Sequence, residues 1–319
     1  MQVLRGSEAL PLDDRPSVVT VGFFDGVHLG HRAVLARAVE AARERKLRTV
    51  AITFDRHPRE VLKPGTEPRL LTTVERKASL IEAAGIDELI VLEFDRDFSL
   101  IPADGFVRDV LVAGVHARHA VMGANFTFGF KALGTMESLP LLGAPFGLTA
   151  DAVPLVESEG KTVSSTSIRD ALSDGDLIWP GRALGRRFVL DGWVVTGHGR
   201  GKGLGYPTAN LQTWPRLLLP GQGIYAGVAD HLGRRYRTAL DVGTNPTFGV
   251  EPLHVEAFLL DFEGDDLPGE PLSIEFWVRL RDEERYDDVQ ALVAAIDEDV
   301  ERTRTVVPAD GLEPRPDGV

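Results

Sequence analysis

The sequence contains no cysteine. That single absence removes disulfides, thiolate zinc sites, iron–sulfur clusters and cysteine nucleophiles together. Chemistry is left to histidine, carboxylates, hydroxyls, arginine, lysine and backbone amides. No apolar run approaches the ~20 residues that cross a bilayer, and the opening MQVLRGSEALPLDDRP lacks the basic, apolar, small-residue order of a secretory leader. A cytoplasmic protein with no membrane partner is expected. Basic residues are also in short supply: 35 Lys and Arg stand against 48 Asp and Glu, a net charge of −13. A long polyanion is held chiefly by Lys and Arg, so a nucleic-acid partner is not expected. The deficit is uneven. Residues 1–183 carry −4, residues 184–250 carry +5 and residues 251–319 carry −14, a pattern that suits small anionic ligands. The sequence leaves a weak homo-oligomer open.

What is present is enough for two globular domains, with 319 residues of which 43% are hydrophobic. From residue 17 to about 122, strand-length runs at 18–21, 49–54, 89–94 and 120–122 alternate with helical periods at 31–46, 73–84 and 103–113. This predicts an α/β domain with a parallel sheet, whose ligands sit beyond the carboxyl ends of the strands. Past residue 185 the runs 188–195, 224–230, 236–242, 255–261 and 273–278 predict an antiparallel sheet or small barrel, followed by a helix at 287–301 with Val289, Leu292, Val293 and Ile296 on one face. The expected limits are 1–183, 184–305 and a mobile tail at 306–319.

GFFDGVHLGH, residues 22–31, lies where the first strand ends and the first helix begins. Its glycines, Gly22, Gly26 and Gly30, allow the backbone close to a ligand, and a helix start offers amides to phosphate. His28 and His31 can donate to phosphoryl oxygens as charge builds. SSTSIR, residues 164–169, supplies Ser164, Ser165, Thr166, Ser167 and Arg169. One hydroxyl suffices to cap a helix; the surplus with a guanidinium makes a triphosphate clamp. In GANFTFGF, residues 123–130, an extended chain puts Phe126, Phe128 and Phe130 on one side and Asn125 and Thr127 on the other. Aromatic faces there could stack a planar ring, with core packing as the competing reading.

In HGRGKGLGYPTANL, residues 198–211, glycine recurs at 199, 201, 203 and 205 around Lys202. Neither the P-loop nor the dinucleotide fingerprint fits, so this is a phosphate loop of another design. After Pro207, Thr208 and Asn210 project to one side of an extended chain, where a hydroxyl and an amide oxygen suit Mg²⁺. Local turn stabilisation is the alternative. Glu256, in HVEAFLLD, alternates onto the face of Phe258 and Leu260. Turned inward it is a desolvated general base; turned outward it is one acidic surface residue among many.

The histidine motif, with TFDRHP at 53–58, NFTFG at 125–129 and SSTSIR, resembles the FMN adenylyltransferase module of bacterial bifunctional riboflavin kinase/FAD synthetases, within the His-x-Gly-His nucleotidyltransferases. GRGKGLGYPTANL, GIYAG at 223–227, DVGTNPTFG at 241–249, HVEAF at 254–258 and LRDEERY at 280–286 resemble the riboflavin kinase module. The resemblance spans about residues 15–303. It departs at Arg56, where proline is usual, at Pro268, where tyrosine is common, and at Tyr286, which replaces phenylalanine.

The resemblance implies a Rossmann-like nucleotidyltransferase domain followed by a six-stranded antiparallel β-barrel kinase domain with a terminal helix. It implies riboflavin plus ATP giving FMN, then FMN plus ATP giving FAD and pyrophosphate, with Mg²⁺ in both steps. Catalysis would rest on His28, His31, Arg169 and Glu256, the last taking the proton of the ribityl 5′-hydroxyl. Nucleotide and flavin would be held by Gly22, Phe24, Asp25, Gly26, Asn125, Phe128, Ser164, Ser165 and Thr166 in the first domain. In the second, Gly199, Gly201, Lys202, Gly203, Gly205, Thr208, Asn210 and Arg281 would hold them, and Thr208 and Asn210 would face the metal. Two competing readings are a nucleotidyltransferase for another nucleotide fused to a binding-only barrel, and a flavin sensor without catalysis.

Overall fold

The computed structural model describes residues 1–6, 9–197, 203, 205–244, 253–264 and 267–313. They form two compact units: Met1–Pro68 with Val74–Ser164, and Arg69–Thr73 with the chain from Ser165 onward.

In the first unit, β1 (Gln2–Arg5), β2 (Ser17–Val21), β3 (Arg48–Phe54), β4 (Glu88–Leu92), β5 (Ala117–Gly123) and β8 (Thr149–Val153) make one sheet in the order β1-β4-β3-β2-β5-β8. Every pairing in it is parallel. Helices cover both faces of such a sheet, so its inner strands read as unbroken apolar runs, and β2 and β4 are buried at every position. Between β5 and β8 lies a two-residue ribbon, β6 (Thr127–Phe128) against β7 (Gly134–Thr135); β9 (Glu157–Ser158) and β10 (Lys161–Thr162) form another. The chain builds β2, β3 and β4 in one direction and then returns to place β5 on the other side of β2. Strand order therefore reverses between β2 and β5, the place where open α/β sheets bind ligands. The segment expected as a helix at 103–113 runs on from Ala103–Gly105 as π-helical turns over Phe106–Gly114, with Phe106, Val107, Val110 and Leu111 facing the core.

The second unit is a closed antiparallel barrel of β11 (Val189–Val195), β12 (Ala209–Thr213), β13 (Gly223–His231), β14 (Arg234–Gly243), β15 (His254–Leu259) and β16 (Pro271–Arg281), ordered β11-β12-β15-β14-β13-β16. On β14 and β15 the inward residues alternate, as Leu240 and Val242 face Ala257 and Val255, whereas β13 is buried continuously over Tyr225–Ala229. The unit also holds the helices Ser165–Ser173 and Ile178–Leu184 and the segment Arg69–Thr73, where Leu70 bridges Leu217. The terminal helix Val289–Val306 starts with the Asp288 carboxylate accepting the Ala291 amide. Of its expected apolar face, Leu292, Val293 and Ile296 are half-buried and Val289 is exposed, while the fully buried positions are Asp299 and Thr303. Asp299 is buried because it is paired. Within the stretch expected as tail, Val307 is fully buried and 309–312 form a helical turn, while 314–319 lie outside the described residues.

Candidate functional site

The first unit's candidate site starts where β2 stops. Gly22 through Val27 form a tight loop in which Phe24 (φ 53°), Gly26 (φ 79°) and Val27 (φ 39°) all take the left-handed region. Only the glycine does so freely; each of the others costs about 1–3 kcal/mol and persists because the surroundings enforce it. Phe24 and Val27 are buried in a cluster with Leu35, Leu80 and Ile81, which supplies that enforcement. Phe24 thus gives the loop its shape, with its ring in the core against the edge of His31.

The helix Leu29–Arg45 begins at His28, whose Nδ1 accepts the His31 amide at 3.3 Å. A neutral His28 in that arrangement carries its proton on Nε2, which makes Nε2 the donor toward a ligand. It also means that the His31 amide is already spent on the cap. The two rings stack at 3.7 Å between centroids, 16° from parallel. Gly30 leaves room for them, since a Cβ there would stand 3.2 Å from the His28 ring. Asp25 is buried beneath the loop.

Beside the loop a cavity of about 510 Å³ opens at the carboxyl ends of the strands, lined by Val21 from β2, Phe54 from β3 and Phe94 just after β4, with Phe98, Phe106, Phe126 and Phe128. Phe126 and Phe128 lie nearly parallel at 5.7 Å. The expected extended run through 123–130 is thus only partly found: Asn125 sits in a turn closed by the Phe126 amide on the Gly123 carbonyl, and only 127–128 are strand. Phe54, Phe94, Phe98 and Phe106 escaped the sequence reading because each looks like core when taken alone. The signal for Phe54 and Phe94 was their position at the end of the expected strand runs 49–54 and 89–94, although β4 itself stops at Leu92.

Of the 164–169 segment, Ser164 closes the first unit, and Ser165, Thr166 and Arg169 lie on the first helix of the second. The Arg169 guanidinium donates to the Arg69 carbonyl at 2.6 Å.

The second unit's candidate site is a row of polar residues across neighbouring strands. Asn210 on β12 is directly opposite Glu256 on β15, which is opposite Asp241 on β14. Residues paired this way point to one side of the sheet. Thr208 joins the row by donating its hydroxyl to Glu256 Oε2 at 2.9 Å, and His254 Nε2 lies 3.5 Å from Glu256 Oε1. Thr208 and Asn210 therefore do come to one side, next to Glu256. That side is the outer wall of the barrel, since Val255 and Ala257 take the buried positions. Glu256 is half-buried there by its neighbours, neither of the two simple alternatives that alternation offered.

Asp241 was not anticipated. Burial, reinforced by the carboxylates of Glu283 and Glu256, pushes its carboxyl up to about 7. Its Oδ1 is buried and, among the described residues, has no hydrogen-bond partner. Gly243 keeps this crowding feasible, because a side chain there would meet both the Glu283 and Asp241 carboxylates. Arg281 ends β16 in a two-point pair with Asp299, the shortest contact being 2.7 Å. Gly205 has φ 91°, a conformation that favours glycine, and Gly203 faces open space. Gly199, Gly201 and Lys202 lie outside the described residues.

Comparison with known proteins finds a separate family match for each half of the chain. Residues 10–167 match the FAD synthetase family and residues 184–307 the riboflavin kinase family. The chain is 36% identical over 307 residues to a bifunctional riboflavin kinase/FMN adenylyltransferase of Pseudomonas fluorescens, covering 96% of this chain and 98% of that one. This chain belongs to the bifunctional riboflavin kinase/FMN adenylyltransferase family. A further member, from Bacillus subtilis, is 34% identical over 89% of this chain and 90% of its own. A solved structure described as a macrolide-efflux protein from Streptococcus pneumoniae shares the architecture, with a TM-score of 0.86 at 32% identity over 95% of this chain and 99% of that one. Among the described residues no helix is long and apolar enough to cross a membrane. The parallel-sheet unit is thus the FAD synthetase part of the family, and the barrel with its terminal helix is the riboflavin kinase part.

Proposed function

We propose that this chain phosphorylates riboflavin with ATP to FMN on the barrel, and transfers AMP from a second ATP to FMN on the parallel-sheet unit, giving FAD and pyrophosphate. The carrying observation is the pair of separate constructions, a histidine loop beside an aromatic cavity and a Thr208–Glu256–Asn210 row on a barrel wall. Functional limits of 1–183 and 184–305 fit family matches that stop at 167 and resume at 184. A cytoplasmic location belongs to the same reading.

In the adenylyl transfer, the FMN phosphate attacks the α-phosphorus of ATP and pyrophosphate leaves. His28, through Nε2–H, and His31 stabilise the charge that accumulates on the phosphoryl oxygens. The parallel rings of Phe126 and Phe128 suit the flat face of a flavin, with Asn125 and the hydroxyls and Arg169 of 164–169 assigned to nucleotide. In the kinase step, Glu256 takes the proton of the ribityl 5′-hydroxyl as that oxygen attacks the γ-phosphorus, the bond from the γ-phosphorus to the bridging oxygen breaks and ADP leaves. The Gly199–Gly205 loop is assigned to the phosphates and Arg281 to flavin.

Mg²⁺ fits the second site. Thr208 donates its hydrogen to Glu256 and so turns oxygen lone pairs outward, and the Asn210 amide stands next to it. These are the hard oxygen donors that Mg²⁺ takes alongside water and phosphate. When bound, the ion would neutralise phosphate charge. The deciding experiment incubates the protein with riboflavin, ATP and Mg²⁺ and separates the flavins. Successive FMN and FAD are expected, and riboflavin returned unchanged would overturn the reading.

A further inference from the structure

Lys77, on the helix Val74–Ala83, is 2% exposed and has no part in the chemistry above. An ammonium is costly to bury, so its surroundings need to account for it. Its Nζ donates to Thr53 Oγ1 at 3.3 Å, and Thr53 Oγ1 in turn donates to the Phe23 carbonyl at 3.0 Å. The same Nζ lies 4.1 Å from the centre of the Phe23 ring. Phe23 is the residue before the left-handed Phe24, so Lys77 grips the histidine loop by backbone and ring at the point where its strain begins. Among the described residues, the charged groups that act on it are Asp25 of the loop and Asp55 just past β3. Asp25 matters most. A buried carboxylate under this loop repels phosphates, and the Lys77 ammonium offsets that repulsion.

We propose that Lys77 is a positioning residue for adenylyl transfer, which holds the 22–31 loop through Thr53 and Phe23 and cancels the charge of Asp25 beneath the phosphates. The proposal rests on the FMN adenylylation reading above. It requires the lysine to be charged, and burial pulls its ammonium down to about 8. FAD formation then declines as pH rises through that value, while riboflavin phosphorylation, on the other unit, does not follow.

The test compares wild type, Lys77→Met and Lys77→Arg, each supplied with FMN, ATP and Mg²⁺ from pH 6.5 to 9.5, with calorimetric melting of the first unit as the folding control and riboflavin phosphorylation by the same samples as the check on the second unit. Lys77→Met is expected to lower kcat for FAD about a hundredfold, the scale of a 1 Å misplacement, with KM for FMN changed less than threefold. Lys77→Arg is expected to recover at least a tenth of the wild-type rate and to lose the alkaline decline. Wild-type kcat and an unchanged pH profile in Lys77→Met overturn the proposal. If Lys77→Met loses the folded first unit, Lys77→Arg decides, and an alkaline decline unmoved in it overturns the proposal. A wild type that makes FMN but no FAD overturns the adenylylation reading and the proposal with it, a result distinct from either variant outcome.

Discussion

The two units solve the same problem, bringing ATP phosphates to a flavin, with opposite construction. The parallel-sheet unit gathers its groups at the ends of strands, in loops, beside an aromatic cavity at a reversal of strand order. The barrel instead carries its groups on the outer wall, at paired positions of β12, β15 and β14. A loop site needs enforcement, because its backbone is strained at Phe24 and Val27; a strand site inherits rigidity from its ladder but must manage crowding, as at Asp241, Glu256 and Glu283. Strain is the cost of the first design and charge repulsion that of the second.

The sharpest way to break this comparison is to disable one design and watch the other. Removing a general base typically costs 10²–10⁴ in rate, so Glu256→Ala is expected to slow FMN formation about a thousandfold while FAD from supplied FMN stays within twofold. Loss of both activities in folded protein would mean that the sites are not separate. The converse is the double change His28→Ala with His31→Ala. It is expected to lower FAD formation by at least ~10²-fold, the scale of losing preorganised donors, and to leave FMN formation intact. Undiminished FAD output would remove the histidines from the mechanism.

A third comparison is thermodynamic. The Asp241 carboxyl stands at about 7 in the fold against a reference of 3.8, so the folded state holds its proton more firmly than the unfolded chain does. A raised value of this sign gives stability that is fully present below about pH 4 and is lost as pH rises through 7. Asp241→Asn removes the ionisation. At pH 8.5 it is expected to stabilise the barrel by on the order of 4 kcal/mol and to flatten its pH dependence between about 4 and 7, read by calorimetry at a series of pH values. The melting of the parallel-sheet unit should not respond. A barrel transition with an unchanged pH slope would remove the repulsion argument.

The sequence carried more of the first site than of the second, for a reason visible in particular residues. Gly22 through His31 are contiguous, so their chemistry could be seen before any fold was known. The strand row joins residues 208, 210, 241, 254 and 256, whose adjacency depends on a barrel register that periodicity does not give. Asp241 was therefore missed even though its neighbour Glu256 stood out in the sequence. At the level of the fold, the buried strands β2 to β5 announced themselves as apolar runs, whereas β1, β8 and β12 did not. QVLR and TADAV lie at the two edges of the sheet and keep exposed positions, and ANLQT gives one face to the polar row. Lys77 was illegible for another reason: on a helix surface a lysine reads as solvated, and only the packing shows it buried under Phe23.

The smallest expected effect probes the cavity itself. Gly134 on β7 pairs with Phe128 on β6, and a Cβ there would stand 2.5 Å from the Phe128 ring, which lines the cavity. Gly134→Ala must therefore push that ring away from its near-parallel partner Phe126. Overpacking of this kind costs about 1–3 kcal/mol, and 1.4 kcal/mol corresponds to tenfold in affinity. The expected result is a roughly tenfold weaker Kd for FMN at the adenylylation site, followed by flavin fluorescence, with KM for riboflavin in phosphorylation unchanged. Because the alanine leaves His28 and His31 untouched, saturating FMN should restore kcat. Failure to restore it would show that Phe128 shapes the histidine loop as well as the flavin seat, and the division between a strained catalytic loop and a separate aromatic cavity would have to be given up.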